Sequence, residues 1–184
     1  MTVPQMSTRE HDSNDVRLRM SRAGIRLPSP AAPNFTYTPV MVWGDVAFVS
    51  GQIPKEDGRL AFTGRAGDGN TSTDAFAAAE LCAANALAHL DNVVGLDQVA
   101  QVLKLNGYVA CTPEFTEHPH VMEGASRFLE AALGPAGRHA RTALGVPRLP
   151  ADALVEIELI VGLRPKAEKP VSAGPGNNGP SVHR

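Results

Sequence analysis

The chain has 184 residues, of which 43% are hydrophobic and 20% are charged, and this composition is typical of one globular domain with short extensions. The net charge of −2 disfavours a dedicated nucleic-acid-binding domain, because such domains are usually basic. No apolar run reaches the ~18 residues that a membrane-spanning helix needs. Cys82 and Cys111 lie outside any CxxC pattern, and the N-terminus lacks an apolar leader, so we expect reduced thiols in a cytoplasmic protein.

Hydropathy and proline content divide the chain into three parts. Residues 1–33 are predicted to form a polar N-terminal extension with a short helix near Leu18. Residues 34–163 carry the apolar periodicity and are predicted to form the domain. Residues 164–184 are rich in proline and glycine and have almost no large apolar side chains, so they are predicted to be a disordered tail.

The apolar residues of the domain change period along the chain, which predicts alternating strands and helices. The predicted helices cover residues 71–94 and 120–133, and Gly134 is expected to end the second one. The predicted strands cover residues 35–42, 45–50, 99–111, 142–146 and 153–162. The order β-β-α-β-α-β-β predicts an α/β (α+β) fold in which a mixed sheet carries two helices on one face.

The third predicted strand has apolar residues on both of its faces. Alternation places Leu103, Leu105 and Val109 on one face and Val102, Tyr108 and Ala110 on the other. Two helices can cover only one face of the sheet, so another copy of the chain must bury the second face. The sequence therefore predicts a closed homo-oligomer.

The last predicted strand carries two carboxylates, Glu156 and Glu158, on the face opposite its apolar residues, roughly 7 Å apart. A hairpin turn around Arg148 is predicted to bring the strand of Arg141 antiparallel to this one. The carboxylates then have two interpretations. They are either partners in cross-strand ion pairs with arginine or part of a site for general acid and base chemistry.

Three weaker patterns receive structural interpretations. The glycine-rich segment 67–72 lacks a strand directly before it, so it is interpreted as a helix entry rather than a phosphate loop. His118 and His120 flank a proline and have no third ligand at zinc spacing, so no metal is expected. His89 lies in the first predicted helix and is interpreted as a surface residue.

Three segments in a fixed order carry a family resemblance. VSGQIP at 49–54, ARTALGVPRLP at 140–150 and VEIE at 155–158 resemble the signature segments of the reactive intermediate deaminase (RidA/YjgF) family. The likeness covers about residues 34–163. It implies the chorismate-mutase-like fold, a homotrimer with clefts between subunits, and hydrolysis of enamines and imines such as 2-aminoacrylate to a 2-keto acid and ammonia. It implies neither a metal nor an organic cofactor.

The resemblance also assigns roles to individual residues. The arginine that binds the substrate carboxylate corresponds to Arg141, and the glutamate that handles the catalytic water corresponds to Glu156. Ser50 corresponds to the family serine and is expected to bind the substrate. Tyr37 corresponds to a family tyrosine and is expected to be catalytic, although the usual Gly-Pro-Tyr sequence around it is absent.

Two substitutions in the implied substrate pocket leave the function open. Glu123 takes the place of a pocket asparagine, and its negative charge opposes an anionic substrate. Ala143 stands where some members carry cysteine, so no thiol nucleophile is implied. The alternative function is that of a non-catalytic protein of the same fold that binds 2-keto or carboxylic acids. A ribonuclease activity is disfavoured by the net charge.

Overall fold

The computed structural model describes residues 16–32 and 35–165. A five-stranded mixed sheet is flanked on one face by two long helices, and this confirms the predicted fold class. The helices are α1, which covers residues 16–22, α2 (Ser72–Val93) and α3 (His118–Leu133). The strands are β1 (Val40–Trp43), β2 (Val46–Gln52), β3 (Lys55–Glu56), β4 (Arg59–Leu60), β5 (Arg65–Ala66), β6 (Gly69–Asn70), β7 (Val99–Ala110), β8 (Ala140–Val146) and β9 (Val155–Leu163). The two-residue strands form separate small ladders.

The main sheet has the strand order β1-β2-β9-β7-β8. Its neighbours are antiparallel except β7 and β8, which are parallel. The predicted antiparallel hairpin between β8 and β9 is therefore wrong, because β9 already pairs with β2 on one side and with β7 on the other. Strand β7 lies between Arg141 and the two glutamates Glu156 and Glu158. Arg141 therefore does not form a cross-strand ion pair with either of them.

Helix α2 begins at a capping box. The Thr71 side chain accepts from the Asp74 backbone N–H at 3.1 Å, and the Asp74 carboxylate accepts from the Thr71 N–H at 2.8 Å. Alanines on the inner face of α2 let it lie close to α3, where a Cβ on Gly124 would come within 2.3 Å of the Phe76 carbonyl oxygen. In the part of the chain that the structure describes, no helix is long and apolar enough to span a bilayer.

The first strand begins later than the sequence predicts, at Val40 rather than at residue 35. The Tyr37 backbone N–H donates to the Phe35 carbonyl at 2.9 Å, which forms a local turn, and Pro39 has no N–H for a ladder. This irregular segment carries Tyr37 beside the end of the sheet. The predicted tail lies outside the described residues from residue 166 onward.

The N-terminal segment at 16–32 packs along α2. The Met20 side chain is buried in the core, and Ile25 packs against that core. An Arg17 guanidinium nitrogen donates to the Asp91 carboxylate at 2.6 Å. The segment therefore belongs to the folded unit and leads to the candidate site described below.

The second face of the sheet carries exposed apolar side chains, as the sequence predicts, but it also carries polar ones such as Lys104 and Glu158, and its apolar members differ from those predicted. Leu103 does not share a face with Leu105, because a bulge between Val102 and Lys104 shifts the alternation by one residue. Val102 and Leu105 are consequently buried against the helices, and Leu103 is exposed. We define the open face by its half-exposed apolar side chains, which are Met41, Phe48, Leu103 and Leu144.

Charging the open face should prevent assembly. Light scattering of the wild type should give the mass of three copies of the 19.4 kDa chain, and the Phe48→Glu/Leu144→Glu variant should give that of one, because burying these carboxylates is costly. Val93→Glu is the control: Val93 is 50% exposed at the end of α2, and its variant should keep the wild-type mass. A wild-type chain that is monomeric at micromolar concentration would contradict the packing argument.

Candidate active site

Three of the six residues that the resemblance selects surround one cavity. Tyr37, Ser50 and Glu156 line a space of about 840 Å³ near the ends of β2 and β9. Tyr37 is 48% exposed at the rim. These residues come from three separate parts of the chain, so the fold itself brings them together.

Glu156 reaches this cavity because Gly51 has no side chain. A Cβ on Gly51 would lie 1.9 Å from Glu156 Oε1, a distance that no side chain could accept. The pairing of β2 with β9 is irregular between Val49 and Gln52, and the carboxylate lies beside this irregularity. The glycine of the Ser-Gly-Gln segment thus positions the glutamate.

The environment of Glu156 favours its protonated form. Burial, and to a lesser extent the neighbouring charge of Glu158, raise the pKa of the Glu156 carboxyl. A carboxylate with a raised pKa is a better proton acceptor than an ordinary one, so Glu156 has the chemistry of a general base.

Ser50 holds the segment that carries Tyr37. Its hydroxyl donates to the Thr38 carbonyl at 2.8 Å, and its backbone N–H donates to the Pro39 carbonyl at 2.9 Å. The hydroxyl proton is therefore engaged with the backbone, which gives Ser50 a positioning role in this conformation.

Arg141 and Glu123 meet in a second cluster, on the other side of β7. Arg141 Nη1 donates to Glu123 Oε2 at 3.2 Å and to the Ser126 hydroxyl at 2.9 Å, and Nη2 donates to the Pro119 carbonyl at 3.3 Å. Arg127 also donates to Glu123, at 3.2 Å. The Nε of Arg141 donates to no residue within 16–32 or 35–165, so this N–H is available to a ligand.

Glu123 is held as a carboxylate in this cluster. Burial acts to raise its pKa, but hydrogen bonds from Arg127 and Arg141 outweigh burial and lower the pKa below its usual value. Two guanidinium groups face this one carboxylate, so the trio keeps a net positive charge. The charge of Glu123 therefore weakens the attraction of an anion to Arg141 without abolishing it.

The two groups of residues do not form one small site within a single chain. Strand β7 lies between β8 and β9, which separates Arg141 from Glu156 by about 10 Å across the sheet. In register, Arg141 is opposite Leu105 and Glu156 is opposite Tyr108, which adds about 10 Å along the strands. Ala143 lies on β8 opposite Gly107 and packs against the core.

The cavity of Glu156 also contains polar residues that sequence reasoning missed. His89, Asn85 and Lys55 belong to its lining. The interpretation of His89 as a surface residue is wrong, since only 7% of it is exposed. The available signal was its spacing: Asn85 and His89 are four residues apart on a helix and share its buried face.

Two further groups bear on possible chemistry. Cys82 and Cys111 are both buried free cysteines, and burial raises the pKa of each thiol. Within the described ranges, no three His, Cys, Asp or Glu side chains are grouped to hold a metal ion.

Comparisons with known proteins agree with this fold. Residues 17–163 match the family described as "YjgF/chorismate_mutase-like, putative endoribonuclease". Protein TCP17 of Trypanosoma cruzi is 40% identical over 153 residues, which cover 82% of this chain and 96% of TCP17. The crystal structure of Atu1372 from Agrobacterium tumefaciens, a protein of unknown function, is 40% identical with a TM-score of 0.77 and covers 84% of this chain and 96% of its own. A "putative endoribonuclease" from Shewanella oneidensis MR-1 is 33% identical with a TM-score of 0.77, covering 80% and 99%.

Removing the charge of Glu156 should stabilise the protein at high pH only. The raised pKa means that the folded state favours the protonated carboxyl. Ionisation therefore costs stability above that pKa and costs nothing below the ordinary value of 4.5. Glu156→Gln should raise the melting temperature at pH 8 by about 1–3 °C and leave it unchanged at pH 4. Thermal scans at both pH values check this, with Glu80→Gln, at an exposed position of α2, as the control. A destabilised Glu156→Gln at pH 8 would show that the carboxylate is stabilising.

Proposed function

The chain belongs to the YjgF/chorismate-mutase-like family, and on this basis we propose that it is a hydrolytic deaminase of reactive enamine and imine intermediates. Its products are a 2-keto acid and ammonia. The observation that carries the proposal is Glu156, a half-buried carboxylate with a raised pKa in the wall of a cavity. The two free cysteines favour a cytoplasmic location.

Arg141 is proposed to bind the carboxylate of the substrate. A guanidinium can hold a carboxylate by two parallel hydrogen bonds, which fixes the adjacent C=N carbon. The Nε–H of Arg141, which has no partner among the described residues, and the net positive charge of the Arg127–Glu123–Arg141 trio support this role. Such positioning is the main requirement, because an imine carbon is already electrophilic.

Glu156 is proposed to move the protons of the reaction. The water oxygen bonds to the imine carbon while the Glu156 carboxylate takes a water proton and passes it to the nitrogen. The resulting carbinolamine loses ammonia as its hydroxyl becomes the carbonyl of the keto acid, and its hydroxyl proton goes to the departing nitrogen. No redox step occurs, so the chemistry requires only water and one proton-transferring group.

The complete site is proposed to lie between two copies of the chain. Arg141 and Glu156 are too far apart in one chain to contact one small imino acid, and the uncovered open face of the sheet favours assembly. In the homotrimer, each cleft would combine the Arg141 cluster of one copy with the Glu156 cavity of the next. The substrate would bind in that cleft.

Two other functions give different results in the same assays. A non-catalytic protein for 2-keto acids is favoured by Glu123, which partly neutralises Arg141. If the chain has the endoribonuclease activity that the family description names, it should cleave RNA. A protein that binds pyruvate without hydrolysing imine above the buffer rate is the binding protein, and one that cleaves RNA but not imine is the nuclease.

Variants of Arg141 and Glu156 should separate binding from chemistry. Arg141→Ala should weaken pyruvate binding by about 2–4 kcal/mol, and Arg141→Lys should also weaken it because the fork geometry is lost. Glu156→Gln should lower kcat by about 100-fold or more with similar pyruvate affinity. Calorimetry and ammonia release from enzymatically generated 2-aminoacrylate measure the two effects. A fully active Glu156→Gln enzyme would assign the water-handling role to another residue.

Adding a methyl group at Gly51 should lower kcat, as the loss of the Glu156 carboxylate does. In Gly51→Ala the new Cβ would overlap Glu156 Oε1, so the carboxylate must leave its position, and kcat should fall by about 10-fold or more. Gly162→Ala is the matched control, because Gly162 is also on the sheet and its Cβ would make only ordinary contacts of 3.6 Å or more. Equal activities of the two variants would show that the position of Glu156 does not matter.

A further inference from the structure

The cavity of Glu156 is larger and more apolar than a three-carbon imino acid requires. Cavities of about 300–1,000 Å³ usually enclose ligands of drug size, and this one has about 840 Å³. A small ligand would leave much of the apolar wall facing water, which is unfavourable. The apolar lining consists of Ala31, Ala32, Phe35, Pro39, Ile53, Pro150 and Ala151.

The imidazole of His89 is an unpaired polar group in this wall. His89 is 7% exposed, and its ring makes no hydrogen bond to any residue of 16–32 or 35–165. No fully buried side-chain nitrogen or oxygen of the described residues lacks a hydrogen bond, so the ring nitrogens of His89 are accessible from the cavity rather than enclosed in the core. Since His89 lines the cavity, a ligand in the cavity can supply the missing hydrogen bond.

The neighbouring polar groups are already engaged. The Asn85 amide donates to the Lys55 and Leu81 carbonyls at 2.9 and 3.0 Å, and the Gln52 amide donates to the Ser50 carbonyl at 3.0 Å. Both amide nitrogens are therefore occupied, and His89 is the side chain of the helical wall that can still donate a hydrogen bond to a ligand.

The charge around His89 indicates which ligand group fits. The other titratable groups of the lining are Tyr37, Lys55 and Glu156. Burial, and then the charge of Lys55, lower the pKa of His89, which favours the neutral imidazole. A neutral imidazole offers one donor and one acceptor, which suits a neutral hydroxyl or amide rather than a carboxylate or an ammonium group.

We infer that the site takes 2-imino acids with a long, mainly apolar side chain that ends in a neutral hydrogen-bonding group, and that His89 binds this group. The inference rests on the proposed function for the reacting end of the ligand. It concerns the other end, where the apolar walls contact the stem of the side chain and the imidazole contacts its tip.

Binding of three keto acids by calorimetry tests the inference without any need for turnover. Phenylpyruvate should bind about 30-fold more tightly than pyruvate, because the cavity buries its ring. 4-Hydroxyphenylpyruvate should bind about 5-fold more tightly still, because its hydroxyl bonds to His89. Equal affinities for pyruvate and phenylpyruvate would overturn the assignment of a large side chain.

Variants of His89 test the contact at the tip. His89→Leu should abolish the 5-fold gain from the hydroxyl and leave phenylpyruvate affinity within about 2-fold, while His89→Gln, which keeps a hydrogen-bonding group, should retain part of the gain. His120→Leu, at an exposed position of α3 outside the cavity, should behave as wild type. A hydroxyl gain that persists in His89→Leu would overturn the role of His89.

The rates distinguish this inference from the proposed function. Imines generated from alanine, phenylalanine and tyrosine by an amino acid oxidase should be hydrolysed with kcat/KM in the same order as the keto acid affinities. If the three keto acids bind in the expected order but no imine is hydrolysed, the inferred class of ligand is supported and the deaminase activity is refuted. Hydrolysis of all three imines with equal kcat/KM would sustain the deaminase and refute the ligand class.

Discussion

The position of β7 is the constraint on which this account depends. Because β7 takes the place between β8 and β9, one chain carries a cationic cluster around Arg141 and a carboxylate cavity around Glu156 that cannot contact the same small ligand. The same sheet leaves apolar side chains exposed on the face opposite its helices. We propose that the homotrimer accounts for both features. It would cover the open face of the sheet, and it would bring the Arg141 cluster of one copy next to the Glu156 cavity of another.

The chemistry of each half depends on how its charge is placed. Glu156 is kept half-buried beside Gly51, where ionisation is unfavourable, so the protein gives up some stability to hold a strong proton acceptor. Arg141 is kept beside Glu123, which lowers its net attraction for anions while fixing the orientation of the guanidinium. In the function that we propose, Arg141 would meet the carboxylate of the substrate and Glu156 would serve its basic nitrogen.

The sequence predicts the order and type of the elements well because apolar periodicity is a local property. It fails where pairing is decided over long distances: nothing around Arg148 shows that β9 already fills the space beside β7. The bulge at Val102 shifts a face by one residue, and alternation alone cannot detect it. The resemblance selects Glu156 and Arg141. Neither periodicity nor the resemblance identifies His89, because its burial depends on how the N-terminal segment and β3 pack against α2.

Complementation between two inactive variants tests the shared site most directly. Arg141→Ala and Glu156→Gln chains, refolded together in equal amounts, should form mixed trimers that native mass spectrometry can identify. If each cleft takes Arg141 from one copy and Glu156 from the next, about a quarter of the clefts are intact, and about a quarter of wild-type imine hydrolysis should return. Mixed trimers that are no more active than either variant alone would contradict a site shared between copies.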